Sequence, residues 1–106
     1  MVHKLTRGEV RARLRGISGW TVRKDEFSGT PSLHKEFKFK DFSEAMRFAR
    51  NVGKVAEDYE HHPDIHLIRY NNVVITIYTH LANGLTAWDF QLARLIDKVK
   101  IRRKRQ

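Results

Sequence analysis

Histidine is the residue type whose placement in this chain could do chemistry. His61, His62 and His66 surround Pro63, and His80 lies further along; two acids accompany them, Glu57 four residues before His61 and Asp89 nine after His80. An imidazole has an ordinary pKa of about 6.5, so it can give or take a proton near neutrality. Paired imidazoles therefore suit general acid/base catalysis. Glu57 and His61 are four residues apart and would share one face of a helix. Adjacent His61 and His62 cannot point the same way from a regular element, but Pro63 disfavours the helical region for the residue before it. A switch from helix to extended chain at that point would let both rings reach one pocket.

Other chemistries find less support. The chain has no cysteine, which excludes disulfides, iron-sulfur clusters, thiolate zinc sites and a cysteine nucleophile. A metal site remains a rival, because His61, His62, His66 and His80 are competent nitrogen ligands and Glu57 could add an oxygen. Structural zinc usually takes thiolates, however, and the H-E-x-x-H spacing is absent, so no metal is expected. There is no glycine-rich phosphate loop and no serine in a triad context. Plainer roles exist for the same residues. Asp89 also suits the first turn of a capped helix, Glu57 a solvated helix face, and Tyr70 a half-buried strand position. His3, His34 and His66 read as surface residues.

The elements that must position these groups can be read from patterning. Thr6 with Glu9 three residues later is a capping-box signature, and Val10 and Leu14 continue one apolar face to Gly16. Residues 20–24 and 32–40 read as two strands about the turn Ser28-Gly29-Thr30-Pro31, with Leu33, Phe37 and Phe39 alternating with polar residues. Ser43 is a candidate N-cap for a second helix ending near Glu60. Residues 65–70 and 73–79 predict a second hairpin turning through Asn71-Asn72, with central strands. Thr86 caps a third helix whose expected buried stripe is Trp88, Leu92, Leu95, Ile96 and Val99. The order α-β-β-α-β-β-α predicts an α+β fold, a four-stranded antiparallel sheet with three helices mainly on one face. Ala45, Ala49 and Gly53 form a small-residue row that could pack on a symmetry mate or on the chain's own sheet.

With 106 residues and no linker-like stretch, residues 1–106 are expected to form a single domain. The formal charge is +9, but Lys98, Lys100, Arg102, Arg103, Lys104 and Arg105 supply six of it, leaving +3 for the body. The basic stretch 98–105, with the tail 101–106, reads as a solubilising end rather than a nucleic-acid contact, since no aromatic or groove-reading partners accompany it. No signal-peptide core or membrane-length apolar run is visible, so a soluble cytoplasmic protein is expected.

The spaced pattern Glu57, His61-His62-Pro63, Tyr70, His80, Asp89 resembles the signature of the pterin-4a-carbinolamine dehydratases. The similarity extends over roughly residues 5 to 98, including THLANGLTAWDFQLARLID and FKFKDFSEAMRFARNVGKVAE. It departs at Ile65, often aromatic in relatives, and in the longer basic tail. The resemblance implies dehydration of a 4a-hydroxytetrahydropterin to the quinonoid dihydropterin, in recycling the cofactor of aromatic amino acid hydroxylases. It implies His61, His62 and His80 as catalytic, with His62 and His80 the acid and base pair and His61 a third polar ligand. Glu57 and Asp89 would orient imidazoles and ring nitrogens, Pro63 would set the chain path and Tyr70 would wall the pterin. It further implies no cofactor beyond the pterin substrate, and a homodimer or homotetramer. Animal relatives also act as dimerisation cofactors for a homeodomain transcription factor, so a non-catalytic interaction module is the alternative. Retention of all three motif histidines favours the enzyme.

Overall fold

The computed structural model describes residues 2–101. Its elements run α1 (Arg7–Leu14), β1 (Thr21–Lys24), β2 (Pro31–Lys38), α2 (Phe42–Tyr59), β3 (Asp64–Ile68), β4 (Asn72–Ile77), a 3₁₀ turn (His80–Ala82) and α3 (Ala87–Asp97). The strands form one antiparallel sheet in the order β1-β2-β4-β3, as the α+β expectation required. The end of the basic tail, from Arg102 onward, lies outside the described residues. Among the described residues, no helix is long and apolar enough to cross a membrane.

Register places every second strand residue on the helix side. Leu33 pairs with Ile77, Phe37 with Val73, and Ile65 with Ile75. Leu33, Val73, Ile75 and Ile77 are fully buried against Phe48 and Val52 of α2 and Phe90, Leu92 and Ile96 of α3. Burying each such aliphatic side chain contributes about 1.5–3 kcal/mol. Lys35 also falls on this face, opposite Ile75. Its ammonium lies over the Trp20 and Phe37 rings, 5.7 Å and 4.9 Å from their centroids, and donates to Asp97 at 2.8 Å and to the Ser18 carbonyl at 2.9 Å. Trp20 Nε1 donates to the same carboxylate, tying β2 to the end of α3.

Four expectations need correction. The N-cap of α2 is Asp41, whose carboxylate accepts from the Glu44 amide at 2.9 Å; Ser43 lies inside the helix and bonds Arg47 instead. The second hairpin turns at Arg69 and Tyr70, which carry φ of 46° and 55°. Asn71 cannot turn, because its carbonyl and its side-chain amide clamp the Phe39 backbone on the next strand. Only β4 is central; β3 is an edge strand. In α3 the buried face is Asp89, Phe90, Leu92, Ala93 and Ile96, rotated from the expected stripe, which leaves Trp88 exposed. As for the small-residue row, Ala45 is buried in the chain's own core, whereas a Cβ at Gly53 would meet open space.

On the open sheet face, burial first and the Arg23 charge second hold the His34 imidazole below its ordinary pKa. The unfolded chain therefore takes up that proton first as pH falls. His34 contributes stability above its unfolded value of about 6.5, and that contribution is lost as pH falls toward the folded value. Thermal melts should show His34→Gln losing less stability than wild type between about pH 7 and pH 5. Separately, Asp41→Ala should cost about 1 kcal/mol in urea unfolding. Ser43→Ala should stay within about 0.5 kcal/mol, since the helix already has its cap.

Candidate active site

The end of α2 sets the geometry. Glu60 adopts a left-handed conformation at φ 57°, and the His61 amide reaches back to the Ala56 carbonyl at 3.2 Å. The helix stops there by a left-handed cap, and the chain runs extended through Pro63 into β3. That change of direction separates the two rings.

The His61 ring turns inward, with Nε2 2.6 Å from Oδ1 of Asp89. Its side chain is 13% exposed and that of Asp89 is wholly buried. A bare buried carboxylate would be costly, yet this one is supplied with donors. Its Oδ2 accepts from the Thr86 amide at 2.8 Å and the Thr79 hydroxyl at 2.9 Å. Thr86 and Asp89 thus complete a capping box at the start of α3, so the plainer structural role and a site role coexist.

His62 turns outward and places Nε2 2.6 Å from Oε1 of Glu57, both side chains largely solvated. This pair is worth little to stability, but it orients the ring. His80 opens the 3₁₀ turn immediately after Thr79, and its ring packs on Tyr78 with centroids 4.5 Å apart. Among the described residues no hydrogen bond or ring contact joins His80 to His61 or His62. Tyr70 is not with them. It sits exposed in the turn at the opposite end of β3 from Pro63, because the turn falls on Arg69 and Tyr70. Pro63 is half-buried at the near end of that strand. His66 and His34, expected on the surface, line an open-face cleft of about 290 Å³; His66 is exposed and His34 half-buried.

An open cleft of about 270 Å³ lies against His61, lined by Tyr59, Glu60 and Trp88. Trp88 stands edge-on to the imidazole, with centroids 6.3 Å apart. Burial, and secondarily the Asp89 charge, push the Tyr59 phenol above its ordinary pKa, so it stays a neutral hydrogen-bonding group. A larger groove of about 480 Å³ beside α1 holds no histidine or carboxylate. Among the described residues, no three His, Asp or Glu side chains gather in a group that could hold a metal ion.

The sequence over residues 3–99 matches the family described as Pterin 4 alpha carbinolamine dehydratase. The chain belongs to that family. A Sulfolobus acidocaldarius protein, provisionally named a pterin-4-alpha-carbinolamine dehydratase, is 38% identical over 97 residues, covering 92% of this chain and 99% of the relative. The mitochondrial pterin-4-alpha-carbinolamine dehydratase 2 of Arabidopsis thaliana is 39% identical over 88 residues, covering 83% of this chain and 46% of that longer one. A crystal structure from Brucella melitensis, titled a transcriptional coactivator/pterin dehydratase, superposes with TM-score 0.77 at 37% identity, covering 90% of this chain and 96% of that one.

Sequence reasoning about this dehydratase-family chain missed the walls of the cleft. Tyr59 is no part of the spaced pattern, and Trp88 falls in the expected buried stripe of α3. One signal could have placed Trp88: Asp89, as the capping-box acid of α3, must face back toward Thr86, which leaves position 88 pointing elsewhere. Asp89→Ala would remove the acceptor of two buried donors and should cost about 1–3 kcal/mol or more in thermal or urea unfolding. Glu57→Ala, at an exposed pair, should change stability by less than about 1 kcal/mol.

Proposed function

We propose that this chain removes water from a 4a-hydroxytetrahydropterin by histidine acid/base catalysis, giving the quinonoid dihydropterin. The observation that carries the reading is the His61 ring, held by a buried carboxylate at the wall of a cleft flanked by Tyr59 and Trp88. Aromatic walls suit a flat bicyclic ring, and a fixed imidazole can hydrogen-bond its polar edge.

The reaction needs two proton movements. One imidazolium protonates the 4a-hydroxyl so that the C–O bond breaks with loss of water, and a neutral imidazole removes a ring N–H proton. The nitrogen lone pair left behind forms the new C=N bond. No electron acceptor or nucleophile enters the balance. His62 and His80 are the proposed acid and base, His61 the ligand that fixes the ring, and Glu57 and Asp89 their orienting partners. The acid and base lie at the same end of the sheet, His62 two residues before β3 begins and His80 three residues after the antiparallel β4 ends. Dehydration of this kind places the chain after a reaction that oxygenates the reduced pterin at C4a. Pro63 keeps its proposed role in setting the chain path, while Tyr70 has no role in a site built from one chain.

Stopped-flow absorbance of 4a-hydroxytetrahydropterin decay is the direct test. Wild-type protein should accelerate decay, and His62→Ala and His80→Ala should each lower the catalysed rate by about 10²–10⁴-fold while circular dichroism stays unchanged. Decay at the wild-type rate in both variants would refute the assignment.

A further inference from the structure

The buried hydroxyl of Thr79 does more than close a strand. Thr79 and Thr86 are 3% and 2% exposed, and their hydroxyl oxygens lie 2.9 Å apart. The Thr79 backbone is pinned by its bridge to Gly84, which fixes where that hydroxyl points. The direction of each hydrogen bond can be followed from group to group. An ionised carboxylate has only acceptors, so the hydrogen at 2.9 Å from Oδ2 belongs to Thr79. A hydroxyl has one hydrogen, so Thr79 must then accept from Thr86. Thr86 has its hydrogen free for this, because its oxygen accepts from the Trp88 amide at 3.2 Å. Every hydrogen therefore points toward Asp89.

The same rule decides His61. With Oδ2 occupied by Thr79 and the Thr86 amide, Oδ1 faces only Nε2 of the imidazole at 2.6 Å, and the hydrogen between them lies on Nε2. Nδ1 is left as the nitrogen that can change its proton. We infer that Thr79 is a positioning residue, whose hydroxyl orients the Asp89 carboxylate and through it fixes the ring and tautomer that His61 presents to the ligand. This deepens the proposed dehydratase reading and rests on it for its catalytic consequence. The tautomer itself does not depend on that reading.

Nitrogen-15 NMR of the full-length protein separates the two. In wild type, with the imidazole neutral, the nitrogen-15 shifts should place its hydrogen on Nε2 of His61 and leave Nδ1 bare. Thr79→Val keeps the branched shape without the hydroxyl. It should give a mixture of His61 tautomers and lower kcat about tenfold, with KM for the pterin within about twofold. Thr79→Ser, which restores the hydroxyl, should recover both the tautomer and kcat. Thr79→Ala takes the place of the valine variant if that protein does not fold. An Nδ1–H tautomer in wild type, or a hydroxyl-free variant with unchanged tautomer, overturns the inference whether or not the chain dehydrates pterins. Absence of catalysed decay in wild type, with the tautomer as expected, would instead remove the lyase reading and leave Thr79 its positioning role.

Discussion

The site depends on keeping one carboxylate charged in the interior. Asp89 has no exposure to solvent, and an unpartnered ion there would cost several kcal/mol. Three elements offset that cost by each aiming a donor at it: Thr79 at the end of β4, the Thr86 amide at the start of α3, and His61 just past α2. The positive end of α3 adds to the stabilisation. Two stretches that are distant in sequence, the one after α2 and the one joining β4 to α3, are thereby held at one corner of the sheet. The imidazole nearest the cleft is one of the groups that satisfies this charge, so its orientation and the stability of the corner share a single cause.

The neighbouring histidine shows the contrast. His62 meets its carboxylate in solvent, where the pair contributes little to folding but still orients the ring. The left-handed residue Glu60 and the extended chain into Pro63 create this division, one ring buried and one on the rim. One imidazole is therefore held in the interior and the other stands at the surface. The rest of the fold supplies a stiff platform. The buried strand residues and the Trp20, Lys35 and Asp97 cluster anchor α3 at its far end, so its first turn is fixed relative to β4.

Much of this was legible in the residues. The element order, the antiparallel sheet and the caps at Thr6 and Thr86 follow from local rules that act over three or four residues. The acid and histidine spacing singled out Glu57, His61, His62 and Asp89, which the structure brings into two hydrogen-bonded pairs, Asp89 with His61 and Glu57 with His62. The errors share a physical origin. The second-hairpin turn went to Arg69 and Tyr70 because Asn71 was needed to clamp a strand that sequence could not place beside it. Trp88 left the core because the polar demand of Asp89 outweighed hydrophobic periodicity in setting the rotation of α3. Tyr70, sound as a motif position, ended exposed at the other end of β3 for the same reason as the turn.

By itself the sequence determined which groups were available: imidazoles without thiols, acids at helical and capping distances, and a proline close after two adjacent histidines. Short-range chemistry sets those features, so no fold is needed to see them. Only the tertiary structure decided which acid serves which histidine, which ring is buried, and that two threonine hydroxyls stand in line behind Asp89. These outcomes come from long-range pairing, where burial multiplies the worth of a single hydrogen bond and the chain must settle all its polar groups at once.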